Sequence, residues 1–185
     1  MMLMKTIAII AQKGGAGKTT LTLNLAITSK IYRMKTAILD TDPQESCTNW
    51  LYLRGQDQPF VKAANVENME AMQAVLTRHE VDYCFIDTLP ASNEISFKAA
   101  ELADLILIPV TPDKHHLPTV SATLQHLDEI KKLKMFVLLK FEAPKTKKEA
   151  KSLTTSEAKV VTTLLKHKYP EIPIAPVIFF LEHLL

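Results

Sequence analysis

The chain has 185 residues, of which 47% are hydrophobic and 23% charged, and its formal net charge is +2. This composition excludes a disordered or fibrous protein, and a chain of this length can bury roughly 70% of its extended surface. Its two cysteines, Cys47 and Cys84, are too few for a four-cysteine metal site within one chain. No apolar run approaches the ~18 residues of a membrane span, and the N-terminal apolar stretch lacks a cleavage pattern. We therefore expect a cytoplasmic protein with a single domain over residues 1–185.

Apolar runs of strand length alternate with helical patterns along the chain. The predicted strands are Lys5–Ala11, Lys35–Asp40, Val81–Asp87, Asp104–Val110, Met135–Leu139 and Ile174–Phe180. Helical spacing follows the first strand (Leu21, Leu25), surrounds Trp50 and Leu51, covers Asn65–His79, extends from Pro118 to Ile130 and includes Val160–Leu165. Near-continuous apolar strands separated by amphipathic helices predict an α/β fold, a three-layer sandwich with a mostly parallel, twisted central sheet flanked by helices. Ligands of such sheets bind at the carboxyl ends of the strands.

Glycine is scarce in this chain, and it is concentrated at one place. Only four of the 185 residues are glycine, against a usual ~7%. Three of these four lie in Lys13–Thr20, which reads KGGAGKTT and joins the first strand to the first helix. Glycines allow several backbone amides to face one anion, and the N-terminus of the following helix adds partial positive charge. The segment therefore predicts a phosphate-binding loop.

The chemistry of that loop predicts a site for the phosphates of a nucleotide and for Mg²⁺. Lys18 is placed to reach the β- and γ-phosphates, the Thr19 hydroxyl to bind Mg²⁺, and Thr20 to contact the α-phosphate. The candidate nucleotide-binding residues are Lys13, Gly14, Gly15, Ala16, Gly17, Lys18, Thr19 and Thr20.

The loop departs from the generic phosphate-binding pattern in an informative way. Gln12 stands where the pattern has its first glycine, and Lys13 precedes the paired glycines. This deviant Walker A form resembles the ParA/MinD family of P-loop ATPases. Two further segments are similar to that family in the same order: Ile38–Gln44 (ILDTDPQ) resembles its DxDPQ element, and Val81–Pro90 (VDYCFIDTLP) its strand ending in DTPP.

The resemblance implies roles for Lys13 and for two carboxylates. In the family, the lysine that matches Lys13 reaches the partner's phosphates in a nucleotide-sandwich dimer. Asp42 matches the residue that orients the attacking water and holds Mg²⁺ through water, and Asp87 matches the carboxylate on the water shell of that ion. Lys13, Lys18 and Asp42 are therefore the candidate catalytic residues, and Thr19, Asp42 and Asp87 the candidate metal residues. The resemblance extends over about residues 4–180, and we expect the helices that follow the last strand in the family to be absent.

Charge along the chain is uneven. Residues 128–168 contain 11 basic and five acidic side chains, a net charge of +6. This block is either a solvated face or a surface for an anionic polymer. Together with the DPQ element, it favours a ParA-type partition ATPase. The resemblance then implies a homodimer formed with ATP, non-specific DNA binding, a ParB-type centromere-binding partner that stimulates hydrolysis, and association with the nucleoid in the ATP state.

Three alternatives use the same scaffold. A MinD-like positioning ATPase would need a C-terminal amphipathic helix with lysines, and Ile172–Leu185 contains neither lysine nor arginine, so we expect no membrane binding. An electron-transfer reductase similar to the nitrogenase iron protein would need two cluster cysteines per chain, and the two cysteines here do not follow the expected spacing. A small-molecule kinase or ligase remains open. The adjacent His115 and His116 do not suggest a metal site, and Met69, Met72 and Cys84 are expected in the core.

Overall fold

The computed structural model describes residues 3–53, 55, 59–90, 93–111, 117–140, 156–175 and 179–180. The strands are β1 (Lys5–Ile9), β2 (Thr36–Asp40), β3 (Phe60–Ala63), β4 (Tyr83–Asp87), β5 (Leu105–Val110), β6 (Leu133–Lys140) and β7 (Phe179–Phe180). The helices are α1 (Lys18–Ile31), α2 (Ser46–Leu53), α3 (Met69–Arg78), α4 (Asn93–Leu102), α5 (Leu117–His126) and α6 (Ser156–Lys168).

The strands form one sheet in the order β3-β2-β4-β1-β5-β6-β7, and every strand pairing described is parallel. In the central register, Asp87 at the end of β4 lies opposite both Ile9 of β1 and Asp40 of β2. The three strands therefore end at the same level, and the loops that follow them open at one edge. The predicted α/β fold class is confirmed, with a sheet that is parallel in all its described pairings.

Apolar side chains cover both faces of the sheet. Along β1, Ala8 and Ile10 belong to one buried cluster, while Ile9 belongs to the other. This alternation follows from the two-residue period of a strand. The first cluster packs against α3–α6, and the second packs against α1 and α2. The expected core positions Met69, Met72 and Cys84 lie in the first cluster, Met72 being only partly buried.

Three features differ from the sequence-based expectations. Strand β3 and helix α4 were not predicted. Strand β3 is a four-residue edge strand that is largely exposed and lacks an apolar run, so its sequence gives no strand signal. Helix α5 ends at His126, although the apolar period continues to Ile130. Beyond the helix, Leu127 and Ile130 are buried from a turn, so they satisfy the apolar pattern without being helical.

Some expectations fall on residues that the structure does not describe. His115 and His116, the lysines at 145–151 and most of the C-terminal segment after Ala175 lie outside the described residues. Within the part of the chain that is described, no helix combines the length and apolar character needed to traverse a bilayer.

Candidate nucleotide-binding site

The loop between β1 and α1 has the backbone conformation that its glycines allow. Gly15 and Gly17 have φ values of 70° and 85°, in the left-handed region that side chains with a Cβ disfavour. At Gly14 and Gly15, an added Cβ would meet no heavy atom within 4 Å. The glycines therefore serve two needs: two of them permit the turn, and open space remains beside the backbone where a ligand can approach.

Helix α1 begins directly after this turn with an open N-terminus. Gly17 occupies the N-cap position, no side chain caps the helix, and its first turn contains no acidic residue. The first-turn amides have no partner within the helix, and the helix dipole places partial positive charge there. The N-terminus of α1 can therefore bind an anion.

Lys18 is buried at the start of α1, with only 6% of its surface exposed. Its Nζ donates a hydrogen bond to the Lys13 carbonyl at 3.5 Å, across the loop. Burial lowers the pKa of Lys18, and the nearby Asp87 and Asp42 carboxylates oppose that shift. The structure thus brings together Lys18 and two of the carboxylates that the sequence predicts in the site. Lys13, by contrast, is exposed.

Asp87 ends β4 on the side of the sheet that faces α1, where it is 1% exposed. The Thr22 hydroxyl donates to Oδ1 at 3.2 Å, the Cys47 thiol to Oδ2 at 3.4 Å, and the Thr19 hydroxyl also donates to this carboxylate. Burial raises the pKa of Asp87 to about 6, although these hydrogen bonds favour the ionised form. At neutral pH, Asp87 is mainly an anion whose direction is fixed by neighbouring donors.

Asp40 and Asp42 have different environments, although they are two residues apart. Asp40 is buried, and its carboxylate accepts the backbone amides of Asp42 at 3.1 Å and Cys47 at 2.9 Å. Burial raises its pKa. Asp42 is half-buried, and its Oδ1 accepts the Gln44 amide at 2.9 Å. Asp40 therefore supports the turn after β2, and Asp42 is the carboxylate that remains accessible at the sheet edge.

Sequence reasoning missed two residues of this site, Thr22 and Cys47. Both contact Asp87 through their side chains, and both are fully buried. Burial, together with the nearby carboxylates, raises the pKa of Cys47, so it is a protonated thiol and a hydrogen-bond donor at neutral pH. Thr22 follows Lys18 by four residues, and this spacing could have indicated that the two side chains lie on the same face of α1. No local signal placed Cys47 beside β4.

The position of the two cysteines also bears on the electron-transfer alternative. Both Cys47 and Cys84 are fully buried, and they belong to different apolar clusters. A cluster that bridges two subunits needs thiols at the protein surface. The arrangement of these thiols therefore does not support that alternative.

The residues present fit a nucleotide with magnesium. The open N-terminus of α1 and the buried Lys18 match the charge of a polyphosphate. Magnesium prefers oxygen ligands and retains several waters. The hydroxyl of Thr19 and the carboxylates of Asp42 and Asp87 provide such oxygens around Lys18.

A family model and several known proteins match this chain. Residues 7–179 match a family model described as the CobQ/CobB/MinD/ParA nucleotide binding domain. Sporulation initiation inhibitor protein Soj of Bacillus subtilis is 24% identical over 168 residues, which cover 69% of this chain and 66% of Soj. Maintenance of carboxysome distribution protein A (McdA) of Halothiobacillus neapolitanus is 24% identical over 175 residues, which cover 88% of this chain and 80% of that protein.

Among solved structures, an ATP complex of a McdA variant from Cyanothece has a TM-score of 0.69 at 18% sequence identity. The similarity covers 97% of this chain and 83% of that one. At this level of identity, it shows a shared fold. The match to Soj spans just under two thirds of that protein's length.

Proposed function

Because this chain belongs to the CobQ/CobB/MinD/ParA nucleotide-binding family, we propose that it is a ParA-type ATPase that acts in DNA partition. The observation that carries the proposal is the convergence of Lys18, Asp42 and Asp87 beside the uncapped N-terminus of α1. One cation and two carboxylates at an anion-binding helix end suit a phosphoryl transfer that depends on magnesium. The similarity to the chromosome-partitioning ATPase Soj of Thermus thermophilus, 24% identical over 156 residues, supports partition as the process.

The residues of the loop divide the work of binding and hydrolysis. The amides of residues 13–20 hold the phosphates, and Lys18 neutralises the charge that develops on the γ-phosphoryl group. Thr19, Asp42 and Asp87 would hold Mg²⁺, and the ion would neutralise phosphate charge when bound. Asp42, which is partly exposed, orients the attacking water.

In the proposed function, Lys13 of one copy of the chain acts on the nucleotide bound by a second copy. Its side chain is exposed, whereas Lys18, only five residues later, is buried. An exposed lysine beside the phosphate site is positioned to reach a nucleotide bound by another molecule. We therefore assign Lys13 to an ATP-bound homodimer in which each copy completes the site of the other.

DNA and a ParB-type protein are the proposed partners. The described part of the basic block includes Lys131 and Lys132, which are exposed just before β6. Exposed lysines bind the phosphates of DNA without sequence preference. The ATP-bound dimer would bind the nucleoid in the cytoplasm, and a centromere-bound ParB-type partner would stimulate hydrolysis and release it.

Positioning of another cargo is the second candidate function. The similarity to McdA covers 88% of this chain, more than the similarity to Soj. The nucleotide cycle would be the same, and only the partner that stimulates hydrolysis would differ. Co-sedimentation of the ATP-bound protein with anionic liposomes would indicate a MinD-like membrane cycle. We expect no co-sedimentation.

Two lysine-to-alanine variants test the roles in the loop, and a third variant outside the loop is their control. Lys18→Ala should weaken ATP binding and lower hydrolysis by about 100-fold or more, because it removes the charge nearest to the transferred group. Lys13→Ala should retain ATP binding but lose dimerisation with a non-hydrolysable ATP analogue. Lys62→Ala removes an exposed lysine of the edge strand β3 and should behave like the wild type.

Titration calorimetry with ATP and Mg²⁺ measures binding, and size-exclusion chromatography with the analogue measures dimerisation. An Asp42→Ala variant should bind ATP and hydrolyse it poorly. If the wild-type protein gives no heat with ATP and Mg²⁺, the proposed function is wrong. If Lys13→Ala dimerises normally, only the assignment of that lysine is wrong.

A further inference from the structure

Cys47 lies within the candidate magnesium site, yet the chemistry proposed above gives it no role. It is fully buried in the first turn of α2. Its thiol donates to Asp87 Oδ2 at 3.4 Å, and its backbone amide donates to Asp40 Oδ2 at 2.9 Å. Cys47 therefore connects two carboxylates that end two neighbouring strands.

The contact with Asp40 extends this connection to Asp42. The same Asp40 carboxylate accepts the Asp42 amide through its other oxygen, Oδ1, at 3.1 Å. The buried Asp40 side chain thus holds both ends of the turn between β2 and α2. Thr41 adds a contact between this turn and the main chain of β4, since its amide and hydroxyl donate to the Asp87 carbonyl at 3.1 and 2.8 Å. The Cys47 thiol then links this turn to the Asp87 carboxylate itself.

The Asp87 carboxylate is oriented by donors from two helices. Thr19 and Thr22 of α1 and Cys47 of α2 donate to it. Because the proposed role of Thr19 is to bind the metal, Thr22 and Cys47 are the described donors left to orient the carboxylate. The single hydroxyl proton of Thr22 is shared with the Lys18 carbonyl, which lies 3.0 Å away. A thiol is a weak donor, so it can orient Oδ2 and still leave that oxygen able to accept a hydrogen bond from water.

We propose that Cys47 is a positioning residue for magnesium-dependent hydrolysis, in which its thiol holds the Asp87 carboxylate against the turn that carries Asp42. This inference rests on the proposed ATPase function and adds to it a residue that links the two carboxylates of the site. Cys47 does not touch the nucleotide in this role. Its effect is on how well the site holds the magnesium ion.

The test compares three variants by the Mg²⁺ concentration that gives half-maximal hydrolysis at saturating ATP. Cys47→Ala removes the donor and should raise that concentration by about fivefold to tenfold, the effect of losing one hydrogen bond. Cys47→Ser retains a donor of similar shape and should return it to within about twofold of the wild type. Cys84→Ala is the matched control, because Cys84 is equally buried and lies three residues before Asp87, in the opposite apolar cluster.

Binding of a fluorescent ATP analogue in EDTA provides the second measurement, since it depends on the loop and not on magnesium. We expect Cys47→Ala to bind the analogue like the wild type, while its Mg²⁺ dependence changes. If Cys84→Ala shifts the Mg²⁺ dependence as much as Cys47→Ala, or if neither variant shifts it, the positioning role is wrong although the ATPase assignment stands. If the wild type neither binds the analogue nor hydrolyses ATP, the proposed function itself fails, and the role of Cys47 fails with it.

Discussion

At the scale of single residues, the buried carboxylate of Asp87 lowers the free energy of unfolding at neutral pH. Its pKa rises from an ordinary value of 3.8 to about 6, mainly because it is buried. Between about pH 4 and pH 6, the Asp87 carboxyl is therefore protonated to a greater extent in the folded protein than in the unfolded chain. Over that range, the free energy of unfolding should fall as the pH rises, and Asp87 should contribute a loss of roughly 2–3 kcal/mol above pH 6.

An Asp87→Asn variant should remove that loss. Without nucleotide and in EDTA, we expect its free energy of unfolding at pH 7.5 to exceed that of the wild type by about 1–2 kcal/mol. This gain is smaller than the full loss, because the amide perturbs the hydrogen bond with Cys47 and removes a carboxylate charge that offsets the burial of Lys18. The fall between pH 4 and pH 6 should become smaller without vanishing, since burial raises the pKa of Asp40 as well. Urea unfolding at a series of pH values measures both effects. Asp128→Asn, at an exposed position, is the control, and a pH dependence in Asp87→Asn equal to the wild type would contradict the prediction.

Residues of this site differ in how far their sequence context reveals them. Lys18 and Thr19 lie in a contiguous motif, and Asp42 and Asp87 end apolar strands, so local patterns indicate each of them. Cys47 acquires its contact with Asp87, 40 residues later in the sequence, only when β2 and β4 pair. A contact of that kind depends on the order of the strands, which the sequence pattern leaves open.

At the scale of elements, the turn between β2 and α2 is strained at one residue. Glu45 has a φ of 49°, in the left-handed region, immediately before α2 begins. Its amide donates to the Asp42 carbonyl at 2.8 Å, so this conformation closes the turn that presents Asp42. A residue with a Cβ pays about 1 kcal/mol or more for this conformation, and glycine does not.

Glu45→Gly should therefore relieve about 1 kcal/mol of strain or more. The extra freedom of glycine in the unfolded chain should offset roughly 0.4–1 kcal/mol of this, so we expect a net stabilisation of a few tenths of a kcal/mol. Glu45→Ala removes the same carboxylate but retains the Cβ, so it should show no such gain. Chemical denaturation of the two variants and the wild type measures the difference. Equal stabilities for the glycine and alanine variants would show that strain at this turn is not the cause.

The elements that sequence patterns predicted are those that bury a continuous apolar face. β2, β4 and β5 are buried along nearly their whole length, β1 is buried at three of its five residues, and their apolar runs identify them. Strand β3 is held by its pairing with β2 and is exposed over most of its four residues, so its sequence lacks that signal. The end of α5 was placed four residues too late for a related reason, because the buried Leu127 and Ile130 continue the apolar period through a turn.

At the scale of the whole molecule, the sheet separates the nucleotide site from Lys131 and Lys132. The phosphate-binding loop follows β1 at the carboxyl edge, whereas Lys131 and Lys132 precede β6, whose first residue pairs with the first residue of β5 at the amino edge. These lysines cannot reach a nucleotide in the same chain. In the proposed function, ATP would therefore influence a DNA contact at these lysines through dimerisation and not through direct contact with the nucleotide.

This separation predicts that DNA binding and ATP hydrolysis can be altered independently. Lys131→Gln combined with Lys132→Gln should leave hydrolysis without DNA unchanged, because both side chains lie at the far edge of the sheet. In the presence of a non-hydrolysable ATP analogue, the variant should bind a labelled DNA duplex more weakly. The dependence of log affinity on log salt should also lose about one unit of slope for each lysine that contacts a phosphate.

Fluorescence anisotropy over a series of KCl concentrations measures that slope. Lys62→Gln, which removes an exposed lysine from β3 at the other side of the sheet, should retain the wild-type slope. If the double variant keeps both the affinity and the slope of the wild type, Lys131 and Lys132 are not part of the DNA surface. If it loses hydrolysis as well as DNA binding, the two edges of the sheet are coupled within one chain, and the separation argued from the topology does not hold.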